Sequence, residues 1–477
     1  MSKTAVFTQG STFRHILVMT GASTVGLLTL FLVDLVDMYF LSLLGQEELA
    51  AAIGFSGTLL FFLTSVGIGL QIAMGALVAR AEGRHDRDLA SRYCASVMWF
   101  SALFSALVTL PAWYFLEELL VFLGASGLTL ELAMQYSNIL LPSTPILACG
   151  MCCAAALRAV GDARRSMYTT MGAAIVNAVL DPIFIFALGM GIEGAAVASL
   201  LSRMALLMIG LHAVVKRHQL SCGLCWSKMV ADLRNIIPIA GPALLTNLAT
   251  PIGGSYVLKT MATYGDSAVA GAAILGRITP VAFALVFALS GAIGPIIGQN
   301  AGAALYHRVR LTLLNAMMVN LGYVLLVWAV LFLLSDSIVR MFSAEGEAAY
   351  LISFYNTWLV IGFAFNGVLF IANAAANNLN RATQATVFNF ARALLGTVPL
   401  VYLGSQWFGA VGVIAGEMAG ALVWGTAAFL VVLWQVNKLQ CSHQKTPVSE
   451  VAECATASQF SSPRSQMGVP LTTPSDD

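Results

Sequence analysis

Apolar runs of about 20 residues follow one another along the whole chain, and they limit its fold more than any other feature. A helix of that length crosses a hydrocarbon core about 30 Å thick. In lipid the backbone must satisfy its own hydrogen bonds, so such runs form helices. Only 10% of the residues are charged, against about 25% in a soluble domain. The sequence therefore predicts an all-α integral membrane protein.

Twelve runs are long enough to span the membrane. The predicted spans are 16–40, 50–78, 93–115, 135–157, 167–188, 194–215, 236–260, 268–299, 311–334, 351–376, 386–404 and 409–434. They divide the chain into an N-terminus (1–15), an N-lobe (16–216, helices 1–6), a linker loop (217–235), a C-lobe (236–434, helices 7–12) and a polar tail (435–477). The tail is rich in Ser, Thr and Pro, which predicts disorder.

Basic residues are strongly segregated between the two sides of the predicted membrane. If loops alternate, one side holds 19 of the 24 Lys and Arg residues, and the other holds Lys259 and Arg340. Arg203, Arg277 and Arg392 fall inside spans. Because cytoplasmic loops carry the excess of Lys and Arg, both termini are predicted to be cytoplasmic, in a multi-pass protein of the bacterial inner membrane.

The chain also repeats itself at a nearly constant offset. GQEELAAAIG (45–54) resembles GDSAVAGAAI (265–274), RAVGDAR (158–164) aligns with NNLNRAT (377–383), and GIEGAAVAS (191–199) resembles GAVGVIAGE (409–417). The near-equal offsets at these three places indicate two homologous six-helix bundles. Six helices return the chain to its starting side, so the repeats are parallel. They should be related by a pseudo-twofold axis along the membrane normal, with a central cavity between them.

Several function classes find no support in the sequence. GxxxxGK[ST], HExxH and GxSxG are absent, so neither an ATPase domain nor a hydrolase is expected, and the protein is predicted not to be an enzyme. Cys222 and Cys225 form one CxxC without the second ligand pair of a zinc site. No basic stripe indicates nucleic acid. No cofactor is expected, and the predicted partners are small organic substrates and the lipid bilayer, with the chain itself monomeric.

Ionisable residues at membrane depth are the first candidates for function, because burying a charge costs several kcal/mol unless it is paired or protonated. The candidates are Asp34, Asp37, Asp181, Arg203, Arg277, Arg392 and Glu417. Two readings stay open for the acids: they bind a cation or a proton, or they pair with Arg203 and only fix the packing.

Asp181 is the acid with the most suggestive neighbours, in the stretch NAVLDP (177–182). Asn177 lies one helical turn earlier on the same face, and Pro182 frees a backbone carbonyl upstream. Carboxylate, amide and carbonyl oxygens suit a hard cation or a shared proton. Asp34 and Asp37, which share one face of the first helix, are predicted to approach Asp181.

The remaining charges are assigned more structural roles. Arg203 is predicted to be a partner for an acid, and Arg392 and Glu417 are predicted to form an ion pair in the C-lobe. Glu417 also lies in a stripe of glycines typical of close helix packing. Arg277 is placed near a helix break at Pro280, with its role left open.

Four stretches together resemble the multidrug and toxic compound extrusion (MATE) transporters over residues 14–434. They are VDMYFLSLLGQEELAA (36–51), ALRAVGDARRS (156–166), NAVLDP (177–182) and GIEGAAVAS (191–199). The resemblance implies a cation-coupled antiporter. It assigns Asp37 to the first-helix acid of the family, Asn177 and Asp181 to the fifth-helix pair, and Ser199 to a sixth-helix hydroxyl. A sodium ion at Asp37, Asn177 and Asp181 is one implied outcome, and Asp34 is outside the usual pattern.

Two departures from the family pattern sharpen these expectations. Ala22 stands where the family commonly has a proline, so a proline-based bend of the first helix is not expected. Some branches also carry acids on helices 7 and 10, where this chain offers only Asn366 and Asn373 on helix 10. Coupling should therefore reside in the N-lobe.

The sequence thus predicts efflux of amphipathic organic compounds, foremost cations, driven by protons or sodium through alternating access. An exporter or flippase of a lipid-linked or anionic metabolite is the alternative on the same scaffold, favoured if the cavity carries Arg rather than carboxylates. A membrane receptor or scaffold that transports nothing is a third possibility.

Overall fold

The computed structural model describes residues 5–42, 47–220 and 226–444, and this part of the chain is helical with short connections. Its helices are α1 (Thr12–Ser42), α2 (Glu47–Gly83), α3 (Arg87–Tyr114), α4 (Leu116–Phe122), α5 (Gly127–Leu140), α6 (Thr144–Ala159), α7 (Ala163–Pro182), α8 (Gly191–His212), α9 (Trp226–Ala262), α10 (Asp266–Ala282), α11 (Ala284–Gly302), α12 (Tyr306–Met341), α13 (Gly346–Phe354), α14 (Phe363–Asn378), α15 (Ala382–Phe390) and α16 (Val398–Gln444).

The predicted set of twelve membrane passes is confirmed. Eleven helical stretches of the described residues are long and apolar enough to cross a membrane. The last of these stretches, 382–443, is two helices, because Gly409 within α16 has non-helical backbone angles (φ 61°, ψ −143°). The eighth pass is broken at Phe283, between α10 and α11. The first pass, α1, is continuous from Thr12 to Ser42.

The ends of two elements differ from the prediction. Helix α9 begins at Trp226, inside the predicted linker 217–235, and α16 continues to Gln444, past the predicted end of the lobe at 434. The early turns of α9 are held by Asp232, whose buried carboxylate accepts hydrogen bonds from Arg92 and Ser96 (3.0 and 2.6 Å). Cys222, Cys225 and the segment 445–477 lie outside the described residues.

The two lobes contact each other through residues that are equivalent in the two sequence repeats. A Cβ atom on Gly83 would lie 2.0 Å from the carbonyl oxygen of Gln299, and one on Gly302 would lie 2.2 Å from that of Arg80. Gly302 is the repeat equivalent of Gly83, and Gln299 is the equivalent of Arg80 at the same offset. The α2–α11 contact is therefore made twice, by equivalent residues exchanged between the lobes, as a twofold axis requires.

This contact lies on what we call the basic face, the end of the bundle that holds residues 5–10 and the Lys- and Arg-rich loops. Two large apolar clusters join the lobes there: one contains Leu70 and Ile239, and the other contains Ile16 and Ile293. Two further clusters, which include Leu120 and Val327, each stay within one lobe. The lobes are thus closed against each other at the basic face and separate at the opposite end.

The N-terminal segment 5–10, which we call the strap, lies across the closed face. The Phe7 backbone N–H donates to Gln299 Oε1 (2.9 Å), and Gln299 Nε2 donates to the Ala159 carbonyl in the other lobe (2.8 Å). The Arg308 guanidinium donates to the carbonyls of Phe7, Gln9 and Gly10 at 2.9–3.2 Å. The strap therefore ties both lobes together at the basic face.

Asp162 fixes the start of α7, the helix that carries Asn177 and Asp181. Its carboxylate accepts the backbone N–H of Arg165 (3.1 Å) as an N-cap, pairs with the Arg165 side chain, and lies 2.8 Å from His218 Nε2. Burial raises the pKa of Asp162, but the hydrogen bonds from His218 and Arg165 and the Arg165 charge outweigh it and hold the pKa well below its ordinary value.

We expect Gly83→Val and Gly302→Val to lower the melting temperature of the purified protein by similar amounts. Each substitution drives a side chain into a backbone carbonyl, and overpacking of this kind costs about 1–3 kcal/mol. Gly322→Val on α12 is the matched control, since a Cβ there meets no atom within 4 Å. An effect at only one of the two glycines would contradict the reciprocal contact.

We expect Asp162→Ala to destabilise the protein by about 1 kcal/mol through the lost cap, and Asp162→Asn, which keeps a capping oxygen, to cost less. Because the folded-state pKa of Asp162 lies below its ordinary value of 3.8, its charge stabilises the fold fully above that value and progressively less as the pH falls below it. Melting curves from neutral to acid pH measure this. A gap between wild type and Asp162→Asn that widens on acidification would refute the assignment.

Candidate coupling site and central cavity

A close helix contact brings α1 against α7. A Cβ atom on Gly26 would lie 2.5 Å from Thr170 Oγ1. Because glycine has no side chain, the two helices can approach each other closely at this point. Further along the same pair of helices, the approach leaves Asp37 of α1 opposite Asn177 of α7. Two residues 140 positions apart in the chain thereby come into hydrogen-bonding distance.

Asp37, Asn177 and Asp181 form one buried cluster. Asn177 Nδ2 donates to Asp37 Oδ2 (2.8 Å) and to Asp181 Oδ2 (2.9 Å). Asp181 is 0% exposed and Asn177 is 5% exposed. One amide thus bridges the two carboxyl groups. The residues singled out in the sequence for an ion-binding role thus meet at a single point.

The cluster has unused capacity for a cation. The Oδ1 atoms of both Asp37 and Asp181 are buried and have no hydrogen-bond partner among the described residues. Two buried carboxylates side by side repel each other unless a proton or a cation lies between them. Carboxylate and amide oxygens are also the donors that hard cations prefer. The residues present therefore fit either a shared proton or a sodium ion.

Tyr136 of α5 is a neighbour that the sequence did not single out. Its ring packs against Ile185, one turn after Asp181, and Ala195, one turn before Ser199. Tyr136 therefore contacts both the segment that follows Asp181 and the helix that carries Ser199. One signal was available: Tyr136 recurs as Tyr355 at the equivalent position of the second repeat.

Arg203 pairs with no acid among the described residues, so that prediction was wrong. Its Nη1 donates to the Leu140 carbonyl (3.1 Å) and to Ser143 Oγ (2.7 Å). The last carbonyls of a helix lack intrahelical donors, and Arg203 supplies one at the end of α5. The acids are thus left without a cationic partner from this arginine.

The other predicted charges stand apart from the cluster. The side chain of Asp34 lies outside the described residues. Arg277 is exposed on α10, ahead of the break at Phe283. The expected Arg392–Glu417 ion pair is not among the four ion pairs of the described residues. Their charges interact only at a distance.

Backbone packing explains why Arg392 and Glu417 do not form an ion pair. Gly412 and Gly416 pack directly on the carbonyls of Gly404 and Leu400, where a Cβ would lie 1.9 and 2.4 Å from oxygen. These contacts fix the register of the two helices, which places Glu417 level with Leu400 and about two helical turns from Arg392. Arg392 lies on the π-helical turn Ala391–Thr397 that leads into them, and its Nε is buried without a partner.

A cavity of about 430 Å³ lies between the lobes, lined by α2, α6, α9, α11, α14 and α15. Many of its lining residues are equivalent positions of the two repeats, among them Ile68 and Phe287, Gln71 and Ser290, and Arg158 and Asn377. The cavity therefore lies on the pseudo-twofold axis. Of the described lining residues, Arg158 alone carries a charge.

Comparisons with known proteins agree with this architecture. A family model described as MatE matches residues 22–183 and 242–403, one segment in each repeat. The chain is 28% identical to a Shewanella oneidensis protein named FAD transporter, over 87% of this chain and 93% of that protein. It is 25% identical to the Staphylococcus haemolyticus multidrug export protein MepA, over 91% and 96%. The Vibrio cholerae MATE transporter VcmN superposes with a TM-score of 0.84 at 25% identity, over 90% and 97%.

We expect Asn177→Ala to lower the free energy of unfolding by about 1–3 kcal/mol, because both buried carboxyls lose their shared donor. Asn315→Ala is a matched control: Asn315 donates to one neutral hydroxyl, that of Thr12, at 2.7 Å, and its removal should cost less. Denaturant or thermal unfolding in detergent measures both. A smaller loss at Asn177 than at Asn315 would show that the cluster is not held as described.

Proposed function

This chain belongs to the MatE family of membrane transporters, and from that premise we propose that it is a secondary active exporter driven by an inward flow of protons or sodium ions. It is a multi-pass membrane protein and a transporter rather than an enzyme. We place it in the bacterial inner membrane with the basic face in the cytoplasm, as the Lys and Arg distribution favours.

The observation that carries the proposal is the cluster of Asp37, Asn177 and Asp181. It combines two carboxyls, a bridging amide and two unpartnered buried oxygens at one point in the N-lobe. Ionisable groups buried at this depth in transporters commonly lie on ion pathways. In our account, the coupling ion binds between the two carboxyls, and their mutual repulsion is relieved only while the ion is there.

Helix α1 offers a physical route from the ion to the cargo. It packs on α7 in the N-lobe and on α11 and α12 in the C-lobe. It also follows directly from the strap that ties the basic face. We propose that binding or loss of the ion between Asp37 and Asp181 shifts α1 against α7 and so biases the lobes between the two arrangements of alternating access.

Two cargo classes are candidates. Amphipathic organic compounds, cations among them, are supported by relatives whose names describe multidrug export, and apolar cavity walls suit such molecules. Anionic organic compounds are supported by the cavity itself, where Arg158 is the one charged residue among the described lining residues, and by the relative named FAD transporter.

The test is export into everted vesicles or proteoliposomes under an imposed proton or sodium gradient, with ethidium and flavin mononucleotide (FMN) as cargo probes. We expect Asp37→Asn and Asp181→Asn each to reduce gradient-driven transport at least about 10-fold, the size expected when a charged interaction is lost. Asp336→Asn, which changes an exposed acid on α12, should transport as the wild type does. Unchanged transport by both cluster variants would refute the coupling site.

A further inference from the structure

The floor of the central cavity, at its basic end, breaks the symmetry of the two repeats. Arg158 near the end of α6 and Asn377 near the end of α14 are equivalent residues and both line the cavity. One repeat thus contributes a guanidinium and the other an amide at the same depth. Asn378 lies beside Asn377 and also lines the cavity.

The amides of the floor have unmet hydrogen-bonding capacity. Asn377 is 6% exposed and Asn378 is 5% exposed, yet the Oδ1 atoms of both are buried with no partner among the described residues. Asn378 Nδ2 donates to the Ala374 carbonyl at 2.8 Å, which leaves its oxygen free. A buried polar atom left unpaired costs about 1–3 kcal/mol, so a rotation of these amides that turns their oxygens toward a hydrogen-bond donor of the cargo regains that energy.

Arg158 gives the floor a positive charge without a matching negative one. Its Nη1 donates to Ser166 Oγ at 3.0 Å, a neutral partner, and no Asp or Glu is found among the described residues that line the cavity. Asp37 and Asp181 are on α1 and α7, which contribute no lining residue. An organic cation in this cavity would therefore be repelled by the Arg158 guanidinium and would find no carboxylate to bind it. An anion would instead accept charge-assisted hydrogen bonds from Arg158.

The walls above the floor suit a flat aromatic body. Phe61, Phe287 and Phe370 line the cavity, and the rings of Phe287 and Phe370 lie 5.4 Å apart between centroids. Aromatic rings pack well on one another in offset or edge-to-face contacts. The volume of about 430 Å³ is in the range of small-molecule sites, about 300–1,000 Å³.

We propose that this cavity binds anionic aromatic compounds, with the phosphate or carboxylate on Arg158, hydrogen-bond donors of the cargo on Asn377 and Asn378, and the ring packed against the phenylalanines. This deepens the proposed function, on which it rests, by naming the cargo class that the cavity selects. The floor residues discriminate between cargoes, and the N-lobe cluster supplies the driving ion.

The test is equilibrium binding to the purified protein in nanodiscs, with FMN as the anionic aromatic probe and ethidium as a flat cation. We expect Arg158→Gln to weaken FMN binding about 10-fold or more, the effect of removing a charge-assisted hydrogen bond, without weakening ethidium. Asn377→Ala should weaken FMN several-fold, and Arg158→Lys should fall between wild type and Arg158→Gln. Arg277→Gln removes an exposed membrane arginine outside the cavity and should leave FMN binding unchanged.

The proposal is overturned if FMN binds equally well to wild type, Arg158→Gln and Asn377→Ala, or if ethidium binds more tightly than FMN to the wild type. If Arg158→Gln proves unstable, Asn377→Ala and Arg158→Lys carry the test. Binding without a gradient does not require coupling, so it is measured independently of the transport assay. If Asp37→Asn loses transport but still binds FMN, both proposals are supported. If Asp37→Asn transports normally and still binds FMN, only the coupling site is refuted.

Discussion

The bridge from Asn177 to Asp37 and Asp181 is the interaction on which the rest of the structure depends. In a medium that solvates no charge, two carboxyls on different helices stay together only through shared donors, a proton or a cation. The bridge joins α1 to α7 inside the N-lobe, while the same α1 packs on α11 of the C-lobe and begins at the strap. In the mechanism that we propose, binding or loss of an ion at the cluster therefore shifts the helix that contacts both lobes.

The twofold arrangement of the lobes determines how they pack against each other. The residues that differ between the two repeats determine the chemistry of the cluster and of the cavity. Gly83 and Gly302 make equivalent contacts that close the basic face. The acid cluster has no counterpart in the C-lobe, where the apolar residue Leu400 stands at the repeat equivalent of Asp181. On the cavity floor, one repeat contributes Arg158 and the other contributes Asn377 at the equivalent position. In the mechanism that we propose, the ion and the cargo bind different residues of one repeated scaffold and so occupy separate sites.

The sequence predicted those features that depend on period and spacing. Runs of about 20 apolar residues specified twelve helices, the constant offset specified two parallel repeats, and the one-turn spacing of Asn177 and Asp181 placed their side chains on one helix face. Contacts between distant segments were not predictable in this way. Nothing local to Phe7 indicates that it packs on Gln299, 292 residues later, and in the sequence only its recurrence as Tyr355 sets Tyr136 apart from other aromatic residues.

Two errors in the sequence-based assignment of charges have one cause. Arg203 and Arg392 were paired with acids because a buried charge needs a partner. In the structure, Arg203 finds backbone and hydroxyl oxygens instead, and the glycine-directed packing of α16 leaves Arg392 out of contact with Glu417. Charge alone does not specify a partner when carbonyl groups at helix ends can also accept hydrogen bonds.

The central claim is that the Asp37–Asn177–Asp181 cluster and the central cavity are separate sites linked through α1. The most direct measurement is the affinity of the purified protein for an exported fluorescent cargo as a function of sodium concentration and pH. If the sites are linked, the affinity of the wild type falls as the coupling ion binds, and the double variant Asp37→Asn/Asp181→Asn binds the cargo with an affinity that neither condition changes. A double variant whose cargo affinity still follows sodium or pH as the wild type does would contradict the account.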